Sequence, residues 1–165
     1  DPVKAVAWYR KAATGGHPGA LSDLGWCHLN GQGGLAVDDV QALSCFRKAA
    51  EQGHAFAAEM CGWMHEVGRG ISRDEAEAAR WYERSASLGD TEALVRLAWM
   101  TERGQGIPKN EAAAAQMYAV AVSRGNAQAM TNLGWFYTAG QGGLEKNYGL
   151  AKQLFEMAST KRPRA

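Results

Sequence analysis

The sequence predicts an all-α solenoid of stacked helix pairs, and three observations predict it. An alanine that opens a shared motif recurs at Ala20, Ala57, Ala93 and Ala129, with spacings of 37, 36 and 36 residues. Four residues after each alanine stands a triplet ending in Trp: Leu24-Gly25-Trp26, Cys61-Gly62-Trp63, Leu97-Ala98-Trp99 and Leu133-Gly134-Trp135. Each copy then closes on a Gly-x-Gly pair, at Gly31 and Gly33, Gly68 and Gly70, Gly104 and Gly106, and Gly140 and Gly142. A fixed period of this size is the signature of a stacked repeat. The units are a half repeat over 1–17 and repeats over 18–54, 55–90, 91–126 and 127–160, with 161–165 as a basic tail.

Asp1-Pro2 starts the first helix, an acceptor side chain at the N-cap followed by Pro at the first helical position. Ala5, Trp8, Tyr9, Ala12 and Ala13 then recur at helical spacing up to about Thr14, where Gly15-Gly16 ends the run. Asp38, Asp74, Asn110 and Asn147 stand in the place of Asp1, so the same boundary is signalled five times. These five are the second helices of their units. Their core pairs are Trp8-Tyr9, Cys45-Phe46, Trp81-Tyr82, Met117-Tyr118 and Leu154-Phe155, followed by mostly small residues. Large side chains facing small ones let neighbouring helices interdigitate.

The first helix of each unit spans about residues 18 to 30 and its equivalents, with Ala20, Leu24, Gly25 and His28 on the core face of the first copy. Small residues there admit the second helix closely. The loop between the two is built on Gly-x-Gly and holds one added residue in the first and fourth copies (Gly33-Gly34-Leu35 and Gly142-Gly143-Leu144). One orphan second helix plus four pairs makes nine helices.

Composition narrows the function class. The 165 residues hold 18 basic and 17 acidic side chains, a formal charge of +1, which is not the basic excess of a nucleic-acid surface. No apolar run is long enough for a membrane span, and no leader is visible at the amino end, where the chain opens within a repeat and is expected to be an excerpt or a mature form. Three cysteines fit a reducing compartment better than a disulfide framework. Cys61 and Cys45 read as small buried hydrophobes, while Cys27, beside a Trp, is expected to be partly exposed.

The pattern Ala-x-x-x-Leu-Gly-x-x-Tyr, then Gly-x-Gly, is seen best in Ala129, Leu133, Gly134, Tyr137, Gly140 and Gly142. With Trp8-Tyr9-Arg10-Lys11-Ala12-Ala13, it resembles the Sel-one-like repeat (SLR), a relative of the tetratricopeptide repeat. Departures are His28, His65 and Thr101 for the Tyr, and Ala98 for the Gly. The resemblance implies a right-handed superhelix whose first helices line a concave surface, and a scaffold or adaptor that assembles other proteins. A cysteine-rich branch of the family has a disulfide in each repeat and is linked to penicillin binding. This chain lacks those paired cysteines.

Within the first helices the core positions average to one direction, and the Trp points about 170° away at roughly 100° per residue. Trp26, Trp63, Trp99 and Trp135 would then form a stripe on the concave surface, with Trp a frequent binding anchor. The alternative is that each Trp lies against the next repeat and seals the groove. Ser22, Asp23, Glu59, Met60, Val95, Arg96, Thr131 and Asn132 are expected beside the stripe, then Glu66, Glu102 and Arg103. Mixed charge with aromatics suits a peptide or partner helix in the groove.

Metal binding is not expected. His17, His54, Asp90 and Asn126 serve as polar turn residues, and His28 and His65 read as packed, satisfied rings. Nor is catalysis: Cys27 and His28 are neighbours on a helix and diverge by about 100°, and Gly-Arg-Gly is too short for a phosphate loop. No cofactor is expected. The expected function is a protein–protein interaction scaffold binding a protein or peptide along the concave face. The alternative is a structural subunit docking through its convex face or ends, and a distant third is a hydrolase like the cysteine-rich branch.

Overall fold

The computed structural model describes residues 1–161, and the expected basic tail beyond Lys161 lies outside them. Among the described residues there are nine α-helices and no strand. They are α1 (Pro2–Thr14), α2 (Pro18–Asn30), α3 (Asp39–Glu51), α4 (Ala55–Val67), α5 (Glu75–Ser87), α6 (Thr91–Arg103), α7 (Glu111–Ser123), α8 (Ala127–Ala139) and α9 (Tyr148–Lys161). The chain forms two compact units. The first holds residues 1–90, and the second begins at Thr91. In each unit, helices adjacent in sequence pack on one another.

The caps that set the second helices fall where the repeat places them. Asp1, Asp38, Asp74, Asn110 and Asn147 each accept backbone N–H groups of the first turn through a side-chain oxygen. Each cap satisfies a donor that the helix itself cannot reach. First helices use a cap the sequence does not announce. His17 Nδ1 accepts the N–H of Ala20 at 3.3 Å, and His54 Nδ1 that of Ala57 at 3.2 Å, with Asn126 doing the same for Ala129. These histidines are therefore helix starts, more than polar turn residues.

The loop within each helix pair closes by one recurring bond. The N–H of the second-helix cap reaches the carbonyl at the consensus Tyr place: Asp38 to His28, Asp74 to His65, Asn110 to Thr101 and Asn147 to Tyr137, all at 2.8–2.9 Å. The added residue of the first and fourth loops leaves this bond intact. It is absorbed by a second left-handed glycine, Gly34 (φ 80°) or Gly143 (φ 78°). The second glycine of three of the pairs has a further duty. A Cβ on Gly33, Gly70 or Gly142 would lie 2.5–2.6 Å from the carbonyl of Pro2, Asp39 or Glu111, so the loop presses on the first turn of the preceding second helix.

Cores form where second-helix rings meet first-helix glycines. Phe46 faces Gly25, Tyr82 faces Gly62 and Phe155 faces Gly134; an added methyl group would lie 3.0, 2.8 and 2.6 Å from the ring, tight at Gly25 and too close at the other two. Only one residue of each expected core pair is fully enclosed: Phe46, Tyr82, Tyr118 and Leu154 are buried, while Cys45, Trp81, Met117 and Phe155 are half-buried. The α1 pair departs further. Trp8 is 66% exposed, with Lys11 lying over its ring, whereas Trp81 rests on the core of the first unit. Burial also differs from expectation at the cysteines. Cys27 is buried rather than partly exposed, and Cys45 is half-buried rather than buried. All three thiols are free, and burial pushes that of Cys61 up to about 12.

Candidate functional site

The four Trp residues of the first helices divide into two kinds by exposure, and Trp63 packs against the core of its unit. Trp26 and Trp135 are 41% and 59% exposed, whereas Trp63 and Trp99 are half-buried. The half-buried pair is covered by cations. Arg69 lies over Trp63 at 5.6 Å and Arg103 over Trp99 at 4.8 Å, within the range of cation–π attraction.

In the first unit, Trp26 on α2 meets Phe56 on α4, ring centroids 6.2 Å apart. Arg69, the middle residue of its Gly-x-Gly, also donates to Asp39 through Nε at 3.0 Å and to the Leu29 carbonyl. One guanidinium thus ties the Trp63 ring to the ends of α2 and α3. In the sequence, only the position of Arg69 between Gly68 and Gly70 marks it out, and that does not point to this role.

In the second unit, α6 and α8 flank two adjoining depressions that share Trp99 and Asn132. One, of about 360 Å³, is lined by Glu92, Arg96, Trp99, Gln128 and Asn132. The other, of about 220 Å³, takes in Glu102, Arg103, Trp135 and Gln141. Seven of the residues expected on this face therefore line these depressions: Val95, Arg96, Trp99, Glu102, Arg103, Asn132 and Trp135. Trp26, Glu59, Trp63 and Glu66 belong to the first unit.

Several residues expected on this face are engaged or enclosed. Glu66 accepts the hydroxyl of buried Tyr82 at 2.5 Å, and Glu102 that of buried Tyr118 at 2.9 Å. Burial first, and the Glu102 charge next, hold the Tyr118 phenol far above its ordinary range. Asn132 accepts from Gln128 at 2.9 Å. Ser22, Met60 and Val95 are buried, in contrast to the surface position expected, because one turn to either side of the Trp the helix already meets its neighbours. Asp23, Arg96 and Arg103 are exposed, and Glu59 and Thr131 half-buried.

The histidines at the consensus Tyr place are not satisfied as expected. His65 is 4% exposed, and neither ring nitrogen has a hydrogen-bond partner; Nδ1 of His28 is likewise without one. Desolvation lowers the His65 pKa, Arg47 acting the same way while Glu77 and Asp74 oppose it. Thr101 solves the same position by donating to the Leu97 carbonyl. Among the described residues no three His, Cys, Asp or Glu side chains gather as a metal group, and no helix is long and apolar enough to cross a membrane.

The Sel1 repeat profile matches five segments, residues 1–17, 18–54, 55–90, 91–126 and 127–162. Among solved structures, a protective antigen of uropathogenic Escherichia coli strains displaying an SLR fold is 32% identical, with a TM-score of 0.91 over 96% of this chain. A Sel1 repeat protein from Oxalobacter formigenes is 29% identical, with a TM-score of 0.91 over 98% of the chain. The chain spans 34% of the length of the first and 66% of the second. Cysteine rich protein B of Helicobacter pylori shares the fold at 23% identity, with a TM-score of 0.59 over 76% of this chain and 90% of that one. No curated protein matches the chain.

Proposed function

The chain belongs to the Sel1 repeat family, whose members are generally protein-interaction scaffolds, and on that premise we propose that it binds a peptide, helix or partner domain along the face its first helices present. The observation behind this reading is the α6–α8 cleft, where Trp99, Asn132 and Trp135 line one depression. Two indoles flanking a depression offer large apolar area at low entropic cost, the usual chemistry of an interface anchor. Nothing on this face combines a nucleophile, a base and oxyanion donors, so the reading needs no chemistry beyond binding.

The test is the double variant Trp99→Ala/Trp135→Ala, compared with the parent for thermal melting and for the proteins it retains from a lysate. Trp135 is more than half exposed, so its loss should lower the melting temperature little. Retention that falls at least about tenfold with near-parent melting is expected for a binding stripe. Unchanged retention would move the interface elsewhere. One observation favours the docking-subunit alternative as the next place to look: Trp8 on α1, and Tyr148 and Met157 on α9, are exposed large hydrophobics on the terminal helices.

A further inference from the structure

Two of the four first-helix tryptophans are covered by a guanidinium of the chain itself, Trp63 by Arg69 and Trp99 by Arg103. Trp26, at the same register of α2, has no cation over it among the described residues. Gln32 holds the place between two glycines that Arg69 holds in the next repeat. The Trp26 ring stays 41% exposed, with exposed Phe56 beside it. Against it α1 and α2 form a depression of about 150 Å³, in whose lining Tyr9 is a second aromatic ring and Asp23 the one charged residue. Asp23 lies one turn before Trp26 on the same side of α2. It is exposed, accepts no hydrogen bond and forms no ion pair among the described residues. The basic residues of α1 stand elsewhere. At about 100° per residue, Lys4 and Arg10 fall about 100° or more from the side that lines the depression, and Lys11 covers Trp8. No other repeat combines a bare indole with a carboxylate, since Met60, Arg96 and Asn132 take the Asp23 place.

Beyond the α6–α8 cleft, which belongs to the other unit, we infer that the α1–α2 depression binds an arginine side chain presented by a partner peptide. A guanidinium laid on the Trp26 ring makes the contact that Arg69 and Arg103 already make within the chain. Its N–H fork then meets the Asp23 carboxylate, which accepts charge-assisted bonds from a donor set of matching planar geometry. Lysine brings the charge without the flat face, so it binds more weakly. A neutral side chain leaves the carboxylate unanswered, and an acidic one meets it with like charge.

The probe is N-acetylarginine amide, titrated to about 20 mM at constant ionic strength into the isotope-labelled full chain while the indole N–H resonances are followed by NMR. Trp26→Phe identifies the Trp26 signal. That signal should shift saturably with a Kd of about 1 mM, the scale for a ligand of this size. The citrulline analogue, which has the same shape without the charge, should bind at least about tenfold more weakly. Asp23→Asn should weaken the arginine probe at least about threefold at near-parent melting, since the side chain is exposed. No saturable shift at Trp26, or equal affinity for the citrulline analogue, overturns the inference. So does an Asp23→Asn chain that binds like the parent. A shift confined to Trp99 or Trp135 overturns it too, and leaves the reading of the α6–α8 cleft standing. That reading fails separately, through unchanged partner retention by Trp99→Ala/Trp135→Ala.

Discussion

At the scale of single residues, the most informative pattern is a correlation inside one chain. Where the second helix brings Tyr against the first, as at Tyr82 and Tyr118, the first helix supplies Glu66 or Glu102 to its hydroxyl. Where it brings Phe46 or Phe155, the corresponding first-helix positions are Leu29 and Thr138, and no carboxylate is needed. Tyr82→Phe should cost about 1.5–3 kcal/mol, the range for a hydrogen bond to a charged group. Adding Glu66→Leu, which recreates the combination of the first pair, should restore part of that loss, and a double-mutant cycle by chemical denaturation measures the coupling. Additive single-variant losses would show that the bond contributes nothing of its own. His65 carries a second prediction, of acid sensitivity. Its folded pKa lies below the ordinary value of 6.5, so between the two the unfolded chain binds a proton that the folded chain does not. Stability is therefore complete above pH 6.5 and declines as pH falls toward the folded pKa. His65→Thr, the solution used at Thr101, should give a smaller fall in melting temperature than the parent from about pH 7.5 to about pH 5.5.

At the scale of elements, the loops do more than reverse the chain. The Gly-x-Gly pairs are legible in the sequence as hairpin closures, but the second glycine is fixed by a neighbour that sequence reading does not identify. Gly70 combines a φ of 68° with a backbone carbonyl, that of Asp39, where its Cβ would go. Gly34 has a similar φ of 80° but only a methyl group at 4.0 Å. Gly34→Ala should cost about 1 kcal/mol, the left-handed penalty alone. Gly70→Ala should cost at least about 2 kcal/mol more, because the carbonyl of α3 can move only with its helix. Equal losses in thermal melting of the two variants would remove the close approach from the account. The same contrast explains why helix positions were readable and the histidine caps were not. Asp and Asn are ordinary N-caps, whereas a His acts as one only when its ring turns Nδ1 toward the backbone, as His17 and His54 do.

At the scale of the whole molecule, a repeat array is stabilised by each unit and its neighbours, without a single shared core. Gly70→Ala should therefore accelerate amide exchange in α3 and α4 and leave α8 and α9 near their parent protection, which hydrogen exchange resolved by segment would read. Uniform acceleration through α9 would mean that the array opens as one cooperative block. The repeat period, the five capped starts of the second helices and the Gly-x-Gly closures were determined by the sequence itself, because each depends on contacts within a few residues of one another. The four tryptophans recur at one register of the first helices, but the exposure of each was not legible: Trp26 and Trp135 are exposed, while Trp63 packs against the core of its unit. Only the tertiary structure decided how that face is used. It enclosed Ser22, Met60 and Val95, gave Glu66 and Glu102 to buried tyrosines, and left Arg96 unpaired beside Trp99. Those outcomes turn on which side chain of a neighbouring helix arrives opposite, and a periodic pattern along one helix cannot say what its neighbour presents.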